Sequence, residues 1–411
     1  MAEWAGMVKR TRVIAVVTGS RADFGLLSPV MRAIRRRRAL SLRVIAAGLH
    51  LSTGTWRDIQ RVGFEISARV PMQRRGKVGR GADVEAMGRG VRGFGRVFNA
   101  LQPDVVVALG DRIEAFAAAS AAQVGGVHLA HLHGGDRAQG VSDEAMRHAI
   151  AKLAHVHFCA TSASRKRLIR MGEVPQRVFV VGSPALDGLD VIKPMSNQRL
   201  GEIGLDSARP FVVVLQHPVG REDATEQRWM IRTLEAAWAV KKKWRLGLAV
   251  FMPNDDPGSG GIRRAIAAFE ASKSTADSLV VLSHLPREQY LALLRRAAAL
   301  VGNSSGGLIE AAALRTVGGI SSKASVVGFR EVAGLPVVNI GPRQSGRQRP
   351  RNVLDCGYGR APVKAALERA LCTERRRLHQ PYGDGRSGER IAGLLAGLAW
   401  QEIPLRKRNR Y

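Results

Sequence analysis

At 411 residues and 45% apolar content, the chain is too long for one ordinary core and rich enough in hydrophobic residues to fill two. Lys+Arg 64 against Asp+Glu 34 leaves a formal net charge of +30; with no zinc-finger spacing, no RNP-type motif and 5% aromatics, this reads as a basic surface suited to an anionic substrate rather than as a nucleic-acid-binding module. Three cysteines without paired spacing (Cys159, Cys356, Cys372) exclude a disulfide framework, and the lack of a signal-peptide layout or of an apolar run near the ~18 residues of a membrane span points to the cytoplasm.

Residues 13–17 form a continuous apolar run, the pattern of a strand buried on both faces. The run ends in Thr18-Gly19-Ser20-Arg21, and a helix follows over 26–34. A glycine loop between strand and helix aims N–H groups at an anion, and Arg21 can add a bidentate phosphate contact; an ordinary βα turn fits the same residues. A second strand covers 42–47. The Gly- and Arg-rich stretch 71–95 has weak periodicity and reads as a mobile loop leading into a helix. Residues 103–109 are again a buried strand, ending in Gly110-Asp111-Arg112-Ile113-Glu114 before an Ala-rich helix over 115–123. Ligands bind at strand ends of open α/β sheets, which makes Asp111 and Arg112 site candidates; Asp111 as a plain helix cap is the rival reading.

Residues 127–157 carry six of the ten histidines. The strand-like part holds His128, His131 and His133, breaks at Gly134-Gly135, and is followed by Asp136. A polar loop then leads to Asp143 and Glu144 at the start of a helical pattern, with Arg147 and His148 positioned to pair with them at i,i+4. The histidines invite a metal reading, but strand alternation puts His131 and His133 on one face and His128 on the other, and no HExxH pattern exists; no metal is expected.

After a loosened stretch at 193–197 the βα rhythm returns. Strands are expected at 211–215, ending in Gln216-His217, at 246–252, ending in Pro253-Asn254, and at 279–282 and 299–302; helices are expected over 223–241 and 287–298. The last strand runs into Asn303-Ser304-Ser305-Gly306-Gly307 with a helix from Leu308, a phosphate nest or a plain serine cap. Strands alternating with helices in both halves argue for two doubly wound parallel sheets.

The stretches GSRADFGLL, ALGDRIEAFAAA, HLHGGDRAQGVSDEAMRHAIAKLAH, QHPV, MPNDDPG, GNSSGGLIEA, NIGPRQSGR and PYGDGRSGERI occur in one order over about residues 13–395. Together they resemble the hydrolysing UDP-N-acetylglucosamine 2-epimerases of sialic- and legionaminic-acid-type sugar synthesis. The non-hydrolysing branch would show GDTTT-like and HVEAG-like motifs where this chain has GDRIE and HGGD. The resemblance implies a GT-B-like α/β fold: two Rossmann-like domains with the active site in the interdomain cleft. Residues 1–193 would form the sugar domain and 194–375 the UDP domain, with 376–411 supplying a helix, near 388–400, that crosses back to the first domain. It implies a UDP-sugar substrate, no cofactor and a homodimer or homotetramer. Ser20, Arg21, Arg112, Asn254, Ser304, Ser305, Gly306, Glu310 and Arg343 would bind UDP. Asp111, Asp136, Asp143, Glu144 and His217 would do the chemistry: elimination of UDP to a glycal, then hydration. A GT-B glycosyltransferase, a non-hydrolysing epimerase and a non-enzymatic nucleotide- or nucleic-acid-binding protein are the alternatives.

Two departures stand out. The family's HGGE reads HGGD here, so Asp136 is one methylene shorter. The segment 315–335 looks like an insertion or partial second copy, with Ser321-Ser322 and Glu331 echoing Ser304-Ser305 and Glu310, which leaves Glu331 as a rival ribose carboxylate.

Overall fold

The computed structural model describes residues 11–408 except 75, 77–78, 138–143, 274–277, 312, 320–329 and 373–379. Asp143, Ser321 and Ser322 therefore lie outside the described residues. The chain divides into two compact units, one built from residues 11–136, 144–187 and 382–408 and the other from Arg137 and the described residues of 188–381.

The first unit is a seven-stranded parallel sheet. Its strands are β1 (Arg12–Thr18), β2 (Leu40–Ala47), β3 (Ile66–Val70), β4 (Val105–Leu109), β5 (His128–Leu132), β6 (Val156–Cys159) and β7 (Val178–Val180). They lie in the order β3-β2-β1-β4-β5-β6-β7. The unbroken apolar run of β1 has a direct cause: Ile14 and Val16 enter one core cluster while Ala15 and Val17 enter another, so helices cover both faces of the sheet. The helix after β1 runs Arg21–Arg35, starting earlier than the hydrophobic pattern alone indicates, because Ser20 caps it: its Oγ accepts the Asp23 N–H at 3.3 Å. The expected mobile loop at 71–95 ends sooner than composition suggests. A helix occupies Arg80–Leu101, its glycines tolerated where they let Met72 and Val70 pack closely against it. The helix Ser387–Gly397 packs on the helix after β1; the Asp187 carboxylate receives the Ser387 and Gly388 N–H groups at 3.0 and 2.6 Å, which caps its start.

The second unit has a six-stranded parallel sheet of β8 (Phe211–Leu215), β9 (Gly247–Phe251), β10 (Leu279–Leu282), β11 (Ala299–Gly302), β14 (Val337–Ile340) and β15 (Val353–Cys356), ordered β10-β9-β8-β11-β14-β15. Of the segment 315–335, read in the sequence as an insertion or partial second copy, residues 320–329 lie outside the described residues. In the described part, β12 (Arg315–Gly319) and β13 (Arg330–Ala333) form an antiparallel ribbon. The Gly334 N–H bonds the Leu314 carbonyl at 2.9 Å, so the ribbon leaves and rejoins the chain at neighbouring points. The main sheet is undisturbed: β11 still pairs with β14, Leu300 opposite Val337.

Candidate functional site

In each sheet the strand order reverses once, between β1 and β4 and between β8 and β11. Such switch points open a crevice at the carboxyl ends of the strands. The loops that follow β1, β4, β8 and β11 are those carrying Ser20 and Arg21, Asp111 and Arg112, His217, and Ser304 to Gly306.

In the first unit the chemistry gathers around a residue that sequence reasoning treated as a helper. Arg147, on the helix Glu144–Leu153, has a side chain only 2% exposed. Its guanidinium donates to the Asp111 carboxylate, to the backbone carbonyl of Asp136 at 3.1 Å, and to Glu144 Oε2 at 3.5 Å. The expected partner of Arg147, Asp143, lies outside the described residues; its partners include Asp111, Glu144 and the main chain of Asp136. Asp111 and Glu144 keep side-chain exposures of 23% and 22%, so both carboxylates remain within reach of a bound molecule. His148 stands 3.7 Å from Glu144 Oε1, and burial lowers its pKa.

Asp136 is differently placed. It is buried, with Oδ2 bonded to His133 Nδ1 at 2.9 Å and Oδ1 accepting the Ser164 hydroxyl at 2.7 Å. His133 does not continue β5 on the face of His131. It turns with φ +61, a left-handed conformation, and its Nε2 meets Ser183 Oγ at 3.1 Å. Gly135 makes the turn possible: its φ is +76 and a Cβ there would stand 2.5 Å from the Ser164 carbonyl. The Asp136–His133–Ser183 chain has the connectivity of a nucleophilic triad, but Ser183 is fully buried and also caps the Ala185 N–H, so it orients His133. The other histidines of the stretch go to separate partners. His131 Nε2 bonds the Gly110 carbonyl at 2.7 Å, His128 Nε2 the Ile403 carbonyl at 2.8 Å, and His157 Nε2 the Glu173 carboxylate at 2.9 Å.

Ser20 spends its hydroxyl on the helix cap, and Arg21 pairs with Asp58 at 2.9 Å while remaining 45% exposed. Glu114, not singled out in the sequence, is a buried anchor: it lies 3.5 Å from Arg112 Nε and accepts Gln73 Nε2 at 3.0 Å. It packs against Gly19, where a Cβ would sit 2.7 Å away. Asp23 joins this cluster. Its pKa is raised to about 6 by burial, against the opposing pull of Arg112.

In the second unit Asn303 ties the two switch-point loops together. Its side-chain amide accepts the His217 N–H at 2.7 Å and donates to the His217 carbonyl at 2.8 Å. His217 Nδ1 in turn accepts the Asn254 N–H at 3.2 Å, which assigns the ring proton to Nε2. Burial, assisted by Arg343, drives the His217 pKa down to about 3, so the ring is a neutral donor. Arg343 Nη2 and Asn254 Nδ2 share Asp256 Oδ2 at 3.4 and 2.5 Å. The helix after β11 begins at Ser305, not Leu308, and spans Ser305–Ile309; Ser304, at its cap position, makes no side-chain cap bond, in contrast to Ser20. Glu310 follows directly, its Oε1 held by Arg287 at 2.8 Å. Glu331 lies on β13, in the two-stranded ribbon and not in the six-stranded sheet.

Residues 32–318 and 325–396 match the family model described as UDP-N-acetylglucosamine 2-epimerase, with the break inside the ribbon. The chain belongs to this family. It is 33% identical, over 97% of its own length and 100% of the relative's, to the UDP-N,N'-diacetylbacillosamine 2-epimerase (hydrolyzing) of Legionella pneumophila. It is 26% identical, over 96% of its length and 98% of the relative's, to the UDP-N-acetylglucosamine 2-epimerase of Neisseria meningitidis. Among solved structures, the Neisseria meningitidis UDP-GlcNAc 2-epimerase bound to UDP-GlcNAc superposes with a TM-score of 0.73 at 16% identity, covering 93% of this chain and 99% of that one. The Methanocaldococcus jannaschii UDP-GlcNAc 2-epimerase in complex with UDP-GlcNAc and UDP gives 0.73 at 19% identity, with the same coverage. The fold is GT-B-like, with two Rossmann-like units. No helix among the described residues is long and apolar enough to cross a membrane.

Proposed function

We propose that this epimerase-family chain is a hydrolysing 2-epimerase. It takes UDP-N-acetylglucosamine or a related UDP-2-acetamido sugar, such as a diacetylbacillosamine type, and releases the free 2-epimeric sugar and UDP. The observation that carries the reading is the pair of reachable carboxylates, Asp111 and Glu144, held by one buried guanidinium beside the Gly134–Gly135 turn. Removing a weakly acidic C2 proton and returning one from the opposite face needs two fixed acid–base groups around one ring. Loss of the C2 proton with cleavage of the C1–O bond gives a glycal and UDP. Water then adds at C1 as a proton returns to C2. Asp111 and Glu144 handle the C2 proton, with Asp143 in the same segment, and Asp136 acts through His133, to which it is bonded.

In the second unit, neutral His217 offers its Nε2–H to the leaving diphosphate, with Arg343 as counter-charge. Ser304, Ser305, Gly306 and Asn254 surround the phosphates, Glu310 takes the ribose hydroxyls, and Ser20, Arg21 and Arg112 lie on the loops of the first unit's switch point. The closest support for the hydrolysing branch is the 33% identity to a relative so named, together with GDRIE and HGGD in place of the other branch's motifs. The purified protein, incubated with a panel of UDP-2-acetamido sugars and no acceptor, should release UDP from at least one of them. UDP release only on addition of an acceptor would mark a transferase; no release from any sugar would sink the proposal.

A further inference from the structure

Glu310 enters the described fold in the company of one cation. Arg287, at the start of the helix Arg287–Leu294, donates from Nε at 3.2 Å and from Nη2 at 2.8 Å, and both bonds go to Oε1. Oε2 is turned toward the first turn of the helix after β11: a Cβ at Gly306 would stand 2.9 Å from it. The carboxylate is 15% exposed and the guanidinium 27%, so the pair is screened from water without being sealed. On the same helix, one turn further, the buried Tyr290 hydroxyl finds no hydrogen-bond partner among the described residues. The ring of Tyr290 packs edge-on against Phe251, with centroids 5.3 Å apart. A two-donor grip on a single oxygen fixes the plane of the carboxylate and leaves the other oxygen's lone pairs as the acceptors for something else.

We infer that Arg287 is a positioning residue for the nucleotide: it holds Glu310 by Oε1 so that Oε2 is presented, as a charged acceptor, to the ribose hydroxyls. The inference rests on the UDP reading above and adds a residue that no part of that reading required. Burial raises the Glu310 pKa while Arg287 opposes the rise. Among the described residues Tyr290 also feels the Glu310 charge, and burial raises its own pKa, so it stays neutral and adds no competing charge. Without Arg287 the carboxyl group would hold its proton to higher pH and lose acceptor strength.

The test is UDP binding by calorimetry at a series of pH values on either side of neutrality, because burial raises the Glu310 pKa and Arg287 opposes the rise. Each variant is compared with wild type at the same pH so that titration of UDP itself cancels. Arg287→Met is expected to weaken UDP by about tenfold at the acid end and by less than about threefold at the alkaline end, with Arg287→Lys in between. Glu310→Gln should weaken UDP by a factor that does not change with pH. The double variant R287M/E310Q, which leaves no unpaired charge to disturb folding, should bind as E310Q alone does. A pH-independent loss in R287M, wild-type affinity in R287M, or a double variant weaker than E310Q overturns the inference, the last because Arg287 would then touch the ligand itself. Wild-type protein that binds no UDP overturns the functional reading instead.

Discussion

Asn303 and His217 are joined twice, the asparagine amide bonding both the N–H and the carbonyl of the histidine at 2.7 and 2.8 Å. Asn303 directly follows β11 and His217 lies two residues beyond β8, the strands between which the second sheet reverses. One buried side chain therefore sets the distance between the loop proposed for the leaving group and the loop proposed for the phosphates. Asn303→Ala should leave two main-chain groups of His217 without their partners, at about 1–3 kcal/mol each if they stay dry. Turnover should fall further than UDP affinity, because ring placement suffers before the phosphate loop does. Equal losses in both would mean that Asn303 supports the loop alone.

The tautomer of His217 gives a second expectation. With Nδ1 accepting from Asn254 and the pKa driven down to about 3, the ring carries its proton on Nε2 and is neutral throughout the working range. Gln at 217 can present an amide N–H at a similar reach, whereas Ala cannot. His217→Gln should retain more turnover than His217→Ala, and the acid limb of the pH–rate profile should be the same in wild type and H217Q. A limb that disappears with His217 would contradict the assignment.

Arg147 is buried and bonded to two carboxylates and a carbonyl. Arg147→Met should abolish measurable turnover and destabilise the first unit by about 1–3 kcal/mol, because two half-buried carboxylates and the Asp136 carbonyl lose their donor. Arg147→Lys, which keeps the charge but not the fork, should recover part of the stability and little of the turnover. Urea unfolding and UDP release, measured on the same preparations, separate the two effects.

Asp136 occupies the place where related sequences are expected to carry Glu. Its two oxygens already reach His133 and Ser164 at 2.9 and 2.7 Å, in a buried cradle. A longer side chain must push against one of them, so Asp136→Glu should cost about 1–3 kcal/mol of stability, as overpacking does. Asp136→Asn should keep the fold and the affinity for UDP while lowering turnover by about 10²-fold or more, the range of general acid–base contributions. Full turnover in the Asn variant would remove Asp136 from the chemistry.

His155 supplies a pH prediction. Its Nδ1 accepts the Leu129 N–H and its Nε2 donates to the Leu405 carbonyl, so both nitrogens are satisfied only in the neutral ring; burial lowers its pKa to about 4. The unfolded state takes up a proton near pH 6.5 and the folded state does not, so this histidine's contribution is complete above about pH 6.5 and is lost as pH falls toward 4. The stability gap between wild type and His155→Gln should narrow steadily over that window. A constant gap would show that the ring titrates alike in both states.

The fold was largely legible. Buried strands with both faces apolar, such as Val105–Leu109, cannot be mistaken when glycine loops and Ala-rich helices punctuate them, and the resemblance assigned their architecture. The parts that were not legible depend on long-range contact. Helix starts at Arg21 and Ser305 fall inside polar runs with no hydrophobic periodicity to read; the first is set by the Ser20 cap, and the second has no side-chain cap at all. His133 reads as the next residue of an alternating strand until a left-handed turn takes it to Asp136. Arg147 and Glu144 are neighbours by helical spacing, but nothing in the spacing says that the guanidinium is buried or that Asp111, 36 residues earlier, closes the cluster. Arg287 lies 23 residues before Glu310 and in a different helix, so their pairing has no local signature at all.

The central claim, hydrolysis with inversion at C2 by way of a glycal, is tested most directly by following the reaction in D2O by NMR. The expected result is a free reducing 2-epimeric sugar formed one for one with UDP and carrying solvent deuterium at C2. A sugar epimerised while still attached to UDP, with no free UDP, would place the chain on the non-hydrolysing branch; a free sugar that retains its original C2 hydrogen would contradict the elimination.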